Sequence, residues 1–318
     1  MKTFLEDLKK ELINHNISAS DIEEIISDHE EMIASAVERG LDNDEIKAQF
    51  GDPKALAKEL ADFSNKQTAI EQTQSDEFVH WQNFDPKGDA LKIEIRLVFE
   101  DITFQPSKDD QIHVSYKGTN KIDRYDLSYN NHLLSLKTQK ELGFLFMRKF
   151  SQSMAFLVEV PEHVIISDMN HNGVSSNLTY MGLDAQSFIL NTTSGDIDIQ
   201  GATFGDTKWN TVSGDIKVKD VAIVNLNSSQ VSGDLNIENI KVDHELRLST
   251  VSGDVDIDSG TCELLSFTTV SGDLDAKEFY PESVSLKSIS GDIYIKNKED
   301  KPINVVKKSS LSGKIRIK

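Results

Sequence analysis

Val212-Ser213-Gly214-Asp215-Ile216-Lys217-Val218 is one copy of a motif that recurs through the last third of the chain. Successive motif glycines lie 19, 19, 20, 19, 19 and 22 residues apart, and the last copy has Lys314 in place of aspartate. The glycine and aspartate residues of the six intact copies are Gly195, Asp196, Gly214, Asp215, Gly233, Asp234, Gly253, Asp254, Gly272, Asp273, Gly291 and Asp292. So regular a period predicts stacked supersecondary units.

Each Ser-Gly-Asp triplet indicates a chain corner, because glycine permits backbone conformations that a Cβ opposes, and Ser and Asp hydrogen-bond turns. Apolar and polar residues alternate after each corner, as in Ile216/Val218, which predicts a strand with one buried face. A second strand precedes several corners, as in Leu246/Leu248. The repeat therefore predicts a mainly β protein, a parallel β-solenoid with coils of about 19 residues.

Composition restricts the function classes. The net charge of −19 argues against nucleic-acid binding, which needs clustered Lys and Arg. Cys262 is the sole cysteine, so the chain has no internal disulfide, and the eight scattered His suggest no metal cluster. The sequence shows no secretion signal and no run of 18 apolar residues. We therefore expect a cytoplasmic location by default, with cell-surface association as the alternative.

Residues 1–63 predict a small helical bundle with 16 acidic and 7 basic residues. The segment resembles the HAAS-type signalling domain of Gram-positive bacteria, most clearly at Phe50-Gly51-Asp52-Pro53. This resemblance implies an interaction domain that binds a protein partner, either a membrane protein or a regulatory protein. Residues 64–79 are polar and predict a linker.

We predict that the β-domain spans residues 80–318, with irregular capping coils over 80–175 and regular coils over 176–318. Glu100-Asp101-Ile102 has the form of a worn corner, with Glu100 in the place of glycine. His171-Asn172-Gly173-Val174 indicates another worn corner, and Asn130-Asn131 indicates a tight hairpin.

Residues 91–318 resemble the bacterial putative-adhesin family, a domain of unknown function with repeated Ser-Gly-Asp. Some relatives are linked to cell-envelope stress and to sensing of daptomycin-like peptides at the surface of Gram-positive cells. The resemblance implies the solenoid fold, and it implies a role at the cell envelope as context for function.

The aspartate column allows two interpretations. Carboxylates stacked about 5 Å apart form a track for a cation or a cationic peptide if they are unpaired. If each instead hydrogen-bonds its own turn or the next, the column is structural. We favour the structural interpretation, and we expect no metal site, no cofactor and no catalytic residue.

A carbohydrate-cleaving β-helix is the enzyme alternative, because Asp256 and Asp275 lie on neighbouring outward strand positions. That outward column contains one aromatic residue and no His, which disfavours a sugar groove.

The segment 142–150 breaks the repeat with an apolar stretch that carries a basic pair. Phe144, Phe146, Arg148 and Lys149 are candidates for contact with a partner or for peripheral membrane contact. The alternative is that the segment covers an open end of the solenoid. Altogether the sequence predicts a non-enzymatic interaction protein of the bacterial cell envelope, with a surface adhesin or cationic-peptide-binding protein as the alternative.

Overall fold

A computed structural model describes residues 2–15, 17, 22, 25, 26, 33, 52–58 and 77–318, apart from 87, 89, 119–121, 140–153 and 298–300. The chain divides into two compact units, which we describe separately. In the first unit, helix α1 (Lys2–Asn14) buries Phe4, Leu8 and Leu12, which lie on one face because they are four residues apart. No helix in the described residues is long and apolar enough to span a membrane.

The described part of the second unit contains one short 3-10 helix, Ile122–Arg124, and 22 strands. The strands are β1 (Val79–Phe84), β2 (Ala90–Arg96), β3 (Asp101–Pro106), β4 (Ile112–Gly118), β5 (Tyr125–Asn130), β6 (Leu133–Thr138), β7 (Met154–Val160), β8 (Ile165–Asn172), β9 (Leu178–Met181), β10 (Ala185–Thr192), β11 (Ile197–Gln200), β12 (Thr203–Thr211), β13 (Ile216–Gln230), β14 (Leu235–Val242), β15 (Glu245–Thr250), β16 (Val255–Ile257), β17 (Gly260–Thr269), β18 (Leu274–Lys277), β19 (Phe279–Ser288), β20 (Ile293–Lys296), β21 (Asn304–Ser310) and β22 (Ile315–Ile317).

Parallel pairing arranges these strands in two long stacks. Stack A follows the corners and runs β3, β9, β11, the start of β13, β14, β16, β18, β20 and β22. Stack B precedes the corners and runs β2, β8, β10, β12, the end of β13, β15, β17, β19 and β21. Register partners such as Ile197 and Ile216 are 19 residues apart, so the predicted parallel β-solenoid is confirmed.

Both stacks extend over the irregular part of the β-domain, first by one parallel strand each, β7 and β6, and then by antiparallel strands. Stack A continues from β3 through β7 and β4 to β1, and stack B continues from β2 through β6 to β5. The hairpin between β5 and β6 turns at Asn131 and His132, which both have positive φ, so the turn lies one residue later than Asn130-Asn131.

Two details of the corners differ from the sequence-based expectation. The coil before Ser194 turns at Val174-Ser175-Ser176-Asn177, where Asn177 Oδ1 accepts from Asp196 N at 2.8 Å, and not at Gly173. None of the motif glycines lies in the left-handed region. A Cβ at Gly214 would lie 2.0 Å from the carbonyl oxygen of Gly195, so glycine is required by close backbone approach between coils rather than by its φ.

The core is a column of aliphatic and aromatic side chains enclosed by the coils. Tyr180, Phe188, Phe204 and Trp209 are fully buried, and their rings contact one another in a cluster at the first regular coils. Each coil buries its apolar residues against the coils on both sides, as expected for a solenoid.

Candidate functional site

The aspartate column is a chain of hydrogen bonds between successive coils. The Oδ1 atom of each Asp accepts from the backbone N–H of the equivalent residue in the next coil, with N···O distances of 3.0, 2.9, 2.9, 2.8, 2.7 and 2.8 Å from Asp196 to Asp292. Asn177 makes the same bond with an uncharged amide, so the bond itself does not need a carboxylate. The column thus has a structural use at every coil.

The described residues contain no cluster of three His, Cys, Asp or Glu suited to a metal ion. Neither is any of the six aspartates in an ion pair within the described part of the chain. The carboxylates are exposed, so the column remains an acidic line along one edge of the solenoid.

The serine column holds the same corner from its other side. Ser232 donates both its backbone N–H and its Oγ–H to the carbonyl oxygen of Val212, at 2.9 and 3.2 Å. Ser252, Ser271 and Ser290 repeat the pair of bonds with the preceding coil. The backbone of the residue before each serine is therefore held in place by two donors.

That residue carries an exposed aliphatic side chain, which sequence reasoning missed. We define the aliphatic ridge as Val212, Val231, Val251, Val270 and Ile289, whose exposed fractions lie between 42% and 46%. Because these residues occupy one position on five successive coils, they form a continuous line about 20 Å long. In each corner the ridge residue stands two positions before the glycine and three positions before the aspartate. The ridge therefore lies beside the serine and aspartate columns.

The sequence did contain a signal for the ridge. An aliphatic residue recurs at the position before serine, although a corner is where a β-solenoid turns its side chains outward. Alternation of apolar and polar residues suggests burial for such a residue, and only the accessible surface shows that it is exposed.

The outward pair considered for carbohydrate chemistry does come together. Asp256 and Asp275 are register partners in β16 and β18, and Lys277 Nζ lies 3.1 Å from Asp275 Oδ2. Burial raises the pKa of Asp256 above its usual value, and the neighbouring charge of Asp275 raises it further. An open groove near this pair is lined by Lys277, Glu278, Tyr294 and Lys296, among others.

His171 and Cys262 are buried titratable groups inside the β-domain whose pKa values are shifted by burial. Desolvation lowers the pKa of His171 to about 4, because no solvent reaches the imidazole. Desolvation also raises the pKa of Cys262, so the thiol is protonated and unreactive at neutral pH. The candidate contact residues Phe144, Phe146, Arg148 and Lys149 lie outside the described residues.

Family models match both parts of the chain. A HAAS model matches residues 3–59, which confirms the HAAS-type resemblance of the N-terminal segment. Among curated proteins, none matches the chain.

Solved structures show only distant similarity. A putative adhesin from Parabacteroides distasonis is 12% identical with a TM-score of 0.49, covering 76% of this chain and 98% of its own. A putative lipid binding protein from the same species is 14% identical with a TM-score of 0.47, covering 77% and 97%. A putative adhesin from Bacteroides fragilis is 18% identical with a TM-score of 0.37, covering 69% and 97%. Similarities at this level carry no functional argument.

The model of the β-domain family matches residues 91–318, well over half of the chain and including every Ser-Gly-Asp corner. With the two-stack solenoid and its stacked corners, this match shows that the chain belongs to the Toastrack DUF4097 family.

Proposed function

We propose that this chain is a non-enzymatic interaction scaffold in bacterial cell-envelope signalling or stress response. In this proposal, residues 1–63 bind a protein partner, and the solenoid presents a long recognition surface. The observation that carries the proposal is the aliphatic ridge, because five apolar side chains exposed on successive coils are typical of an interaction site. The match of the HAAS model supports the part of the proposal that assigns partner binding to the N-terminal segment.

The ridge is suited to recognition because its backbone is already ordered. The carbonyl oxygens of Val212, Val231, Val251 and Val270 each accept two hydrogen bonds from the next coil. A partner that docks along the ridge therefore has to order little of the solenoid, which lowers the entropic cost of binding.

A photo-crosslinking amino acid at Val251 in the full chain, expressed in bacteria, tests this use of the ridge. We expect one dominant crosslinked protein at Val251 and none at Lys217, an exposed position on the outer face of stack A. Changing the neighbouring ridge residues, Val231→Ser and Val270→Ser, should reduce the crosslink about tenfold, since each buries less apolar area in the complex. Equal crosslinking at Val251 and Lys217 would show that the ridge is not a binding surface.

The acidic column favours the alternative function, a surface adhesin or a cationic-peptide-binding protein. Because Asn177 makes the corner bond without a charge, a triple Asp234→Asn, Asp254→Asn, Asp273→Asn variant should keep the fold while removing three negative charges. If the acidic column binds cationic peptides, this variant should bind a Lys-rich peptide at least tenfold more weakly in a fluorescence titration. Unchanged affinity would exclude the column as a peptide site.

The second alternative, a carbohydrate-active β-helix, depends on Asp256 and Asp275. Carboxylate pairs of glycosidases cleave sugars when one is protonated and the other ionised. The raised pKa of Asp256 favours its protonated form, as the role of the acid requires. If the chain is a scaffold, Asp256→Asn and Asp275→Asn should leave the yield of the crosslinked product at Val251 unchanged. Release of reducing sugar from cell-wall polysaccharide by the wild type, abolished in both variants, would overturn the non-enzymatic proposal.

A further inference from the structure

The last described coil differs in charge from the rest of the molecule. Residues 301–318 contain six basic and no acidic residues, whereas the rest of the chain contains 28 basic and 53 acidic residues. We call residues 301–318 the basic coil. Within the described residues, none of Lys307, Lys308, Lys314, Arg316 and Lys318 forms an ion pair.

One edge of the basic coil has no strand partner among the described residues. β21 pairs with β19 and β22 pairs with β20, and no described strand pairs with their opposite edges. All seven residues of β21 are exposed, and Ile315 and Ile317 of β22 are only half-buried although their register partners Ile293 and Ile295 are fully buried.

Lys308 lies in a core position of this coil. It is the register partner of Leu286, which follows Phe267 and Leu248 in the buried column of stack B. A second copy stacked coil to coil on this face would bury the ammonium group of Lys308 among apolar side chains. That burial is costly without a paired anion, so the face is not built to receive another apolar coil.

Apolar side chains accompany the basic ones on the same coil. Val306 is 64% exposed and Leu311 is 84% exposed, the two highest values among the large hydrophobic residues described. The coil thus combines exposed aliphatic groups with a net charge of opposite sign to the rest of the protein. A polyanion such as nucleic acid satisfies the charges but offers nothing to the aliphatic groups, whereas an anionic lipid surface satisfies both.

We infer that the basic coil is a docking surface for an anionic lipid bilayer, onto which the solenoid attaches by one end. This inference goes beyond the proposed function, which concerns the aliphatic ridge and the N-terminal segment. Lys and Arg approach the headgroups, and Val306 and Leu311 enter the interface between headgroups and acyl chains.

The overall negative charge does not prevent this contact. Charges in water are screened over about 8 Å at physiological ionic strength, less than the rise of two coils. At the basic coil a membrane therefore experiences mainly the local positive charge, and acidic residues two or more coils away are largely screened. The orientation that follows has the coil axis directed at the membrane and the basic coil next to it.

Co-sedimentation of the full chain with vesicles tests the inference. Vesicles of phosphatidylcholine with about 30% phosphatidylglycerol, which carry a negative surface potential, should bind the protein, and vesicles of phosphatidylcholine alone should not. Lys307→Gln with Lys308→Gln should weaken binding about 30-fold, since each basic residue near an anionic surface contributes about 1 kcal/mol. Val306→Ser with Leu311→Ser should weaken it about tenfold through lost apolar contact.

Lys208→Gln with Lys217→Gln is the matched control, because both lysines are exposed on middle coils and the pair removes the same charge. Binding by this control should equal that of the wild type, and all variants should keep the wild-type thermal unfolding midpoint. Equal loss in the control and the basic-coil variant would overturn the inference, because the attraction would then be a property of total charge. Wild-type protein that fails to bind the anionic vesicles would also overturn the inference, and an unchanged Val306/Leu311 variant would contradict the entry of these two side chains into the interface. Ridge variants should bind vesicles normally, which separates this test from that of the proposed function.

Discussion

The motif glycine is required because its backbone lies against a carbonyl oxygen of the preceding coil. At Gly233 an added Cβ would lie 2.1 Å from the carbonyl oxygen of Gly214, and equally short distances recur at Gly253, Gly272 and Gly291. Neighbouring coils approach through their backbones at this corner, and hydrogen bonds on both sides keep them there. The glycine is therefore set by contact between coils and not by the conformation of its own residue.

Gly233→Ala should lower the free energy of unfolding by about 3 kcal/mol, because the rigid backbone of the preceding coil has to move. Gly201→Ala is the control: its φ is +62° and nothing lies near its Cβ, so only the left-handed conformation costs energy, about 1 kcal/mol. Urea unfolding followed by circular dichroism measures both. A smaller loss at Gly233 than at Gly201 would contradict the backbone-contact explanation.

His171 gives the fold a dependence on acid. Its pKa is lowered from 6.5 to about 4 by burial, so between these values the unfolded chain binds more protons than the folded one. The stability contribution is complete above about pH 6.5 and is lost as the pH falls towards 4, by up to about 3 kcal/mol. Because the register neighbours of His171 are Ile95 and Leu190, an apolar replacement fits the site.

His171→Leu should therefore flatten the dependence of unfolding free energy on pH between 6.5 and 4, relative to the wild type. Urea unfolding at a series of pH values measures the slope. The exposed His163→Gln is the control and should keep the wild-type slope. A His171→Leu profile parallel to that of the wild type would show that His171 is not the titrating group.

At the scale of elements, Glu100 joins a worn corner to the capping hairpin. Its carboxylate is buried and accepts from the backbone N–H groups of Val98 and Phe99 at 2.7 and 3.0 Å. It also accepts from Tyr125 Oη at 3.0 Å and Thr138 Oγ1 at 3.3 Å, one residue at the start of β5 and one at the end of β6. A single side chain thus binds the corner between stacks and the hairpin that extends stack B.

Glu100→Ala should destabilise the fold by about 3 kcal/mol, because two buried backbone donors and two hydroxyls lose their acceptor. Glu100→Gln retains one oxygen acceptor and should lose about 1 kcal/mol. The exposed Glu162→Ala is the control, expected to change stability by less than about 0.5 kcal/mol. Hydrogen exchange should show the loss first in β5 and β6. Uniform loss across all coils would contradict a local role.

At the scale of the whole molecule, each coil contacts only its neighbours, so coils should be removable as units. Deleting residues 255–273 removes 19 residues and joins Asp254 to Leu274, its equivalent successor in the next coil. After the deletion, Leu246 and Leu248 face Val284 and Leu286, which are of similar size, so the core should close without a cavity.

We expect the deletion of residues 255–273 to fold and to unfold cooperatively at a moderately lower urea concentration. Deleting only residues 255–264 should be far more damaging although it removes fewer residues, because it takes away a strand of stack A and joins a corner directly to stack B. Circular dichroism and urea unfolding of both variants decide this. A stable product of the shorter deletion would contradict the coil as the unit of the fold.

Much of this architecture follows from the sequence by itself. The 19-residue interval and the alternation after Asp196, Asp215 and the later corners determine a stacked β structure, because a backbone repeat imposes its own register. The same pattern located Glu100 at the glycine position, which the pairing of Ile102 with Leu178 confirms. The domain boundaries and the candidate contact residues of segment 142–150 stay predictions.

Only the tertiary structure decided which residues face solvent and why the glycines are needed. Val251 and Ile257 are both aliphatic, and a spacing of six residues would place them on the same face of a continuous strand. Val251 nevertheless lies in the exposed ridge and Ile257 in the core, because the chain turns at the corner between them. Lys308 lies in a core column only because a bulge between Val284 and Ser285 shifts the register of β21. Local pattern specifies the coil, and contacts between coils specify what the coil presents.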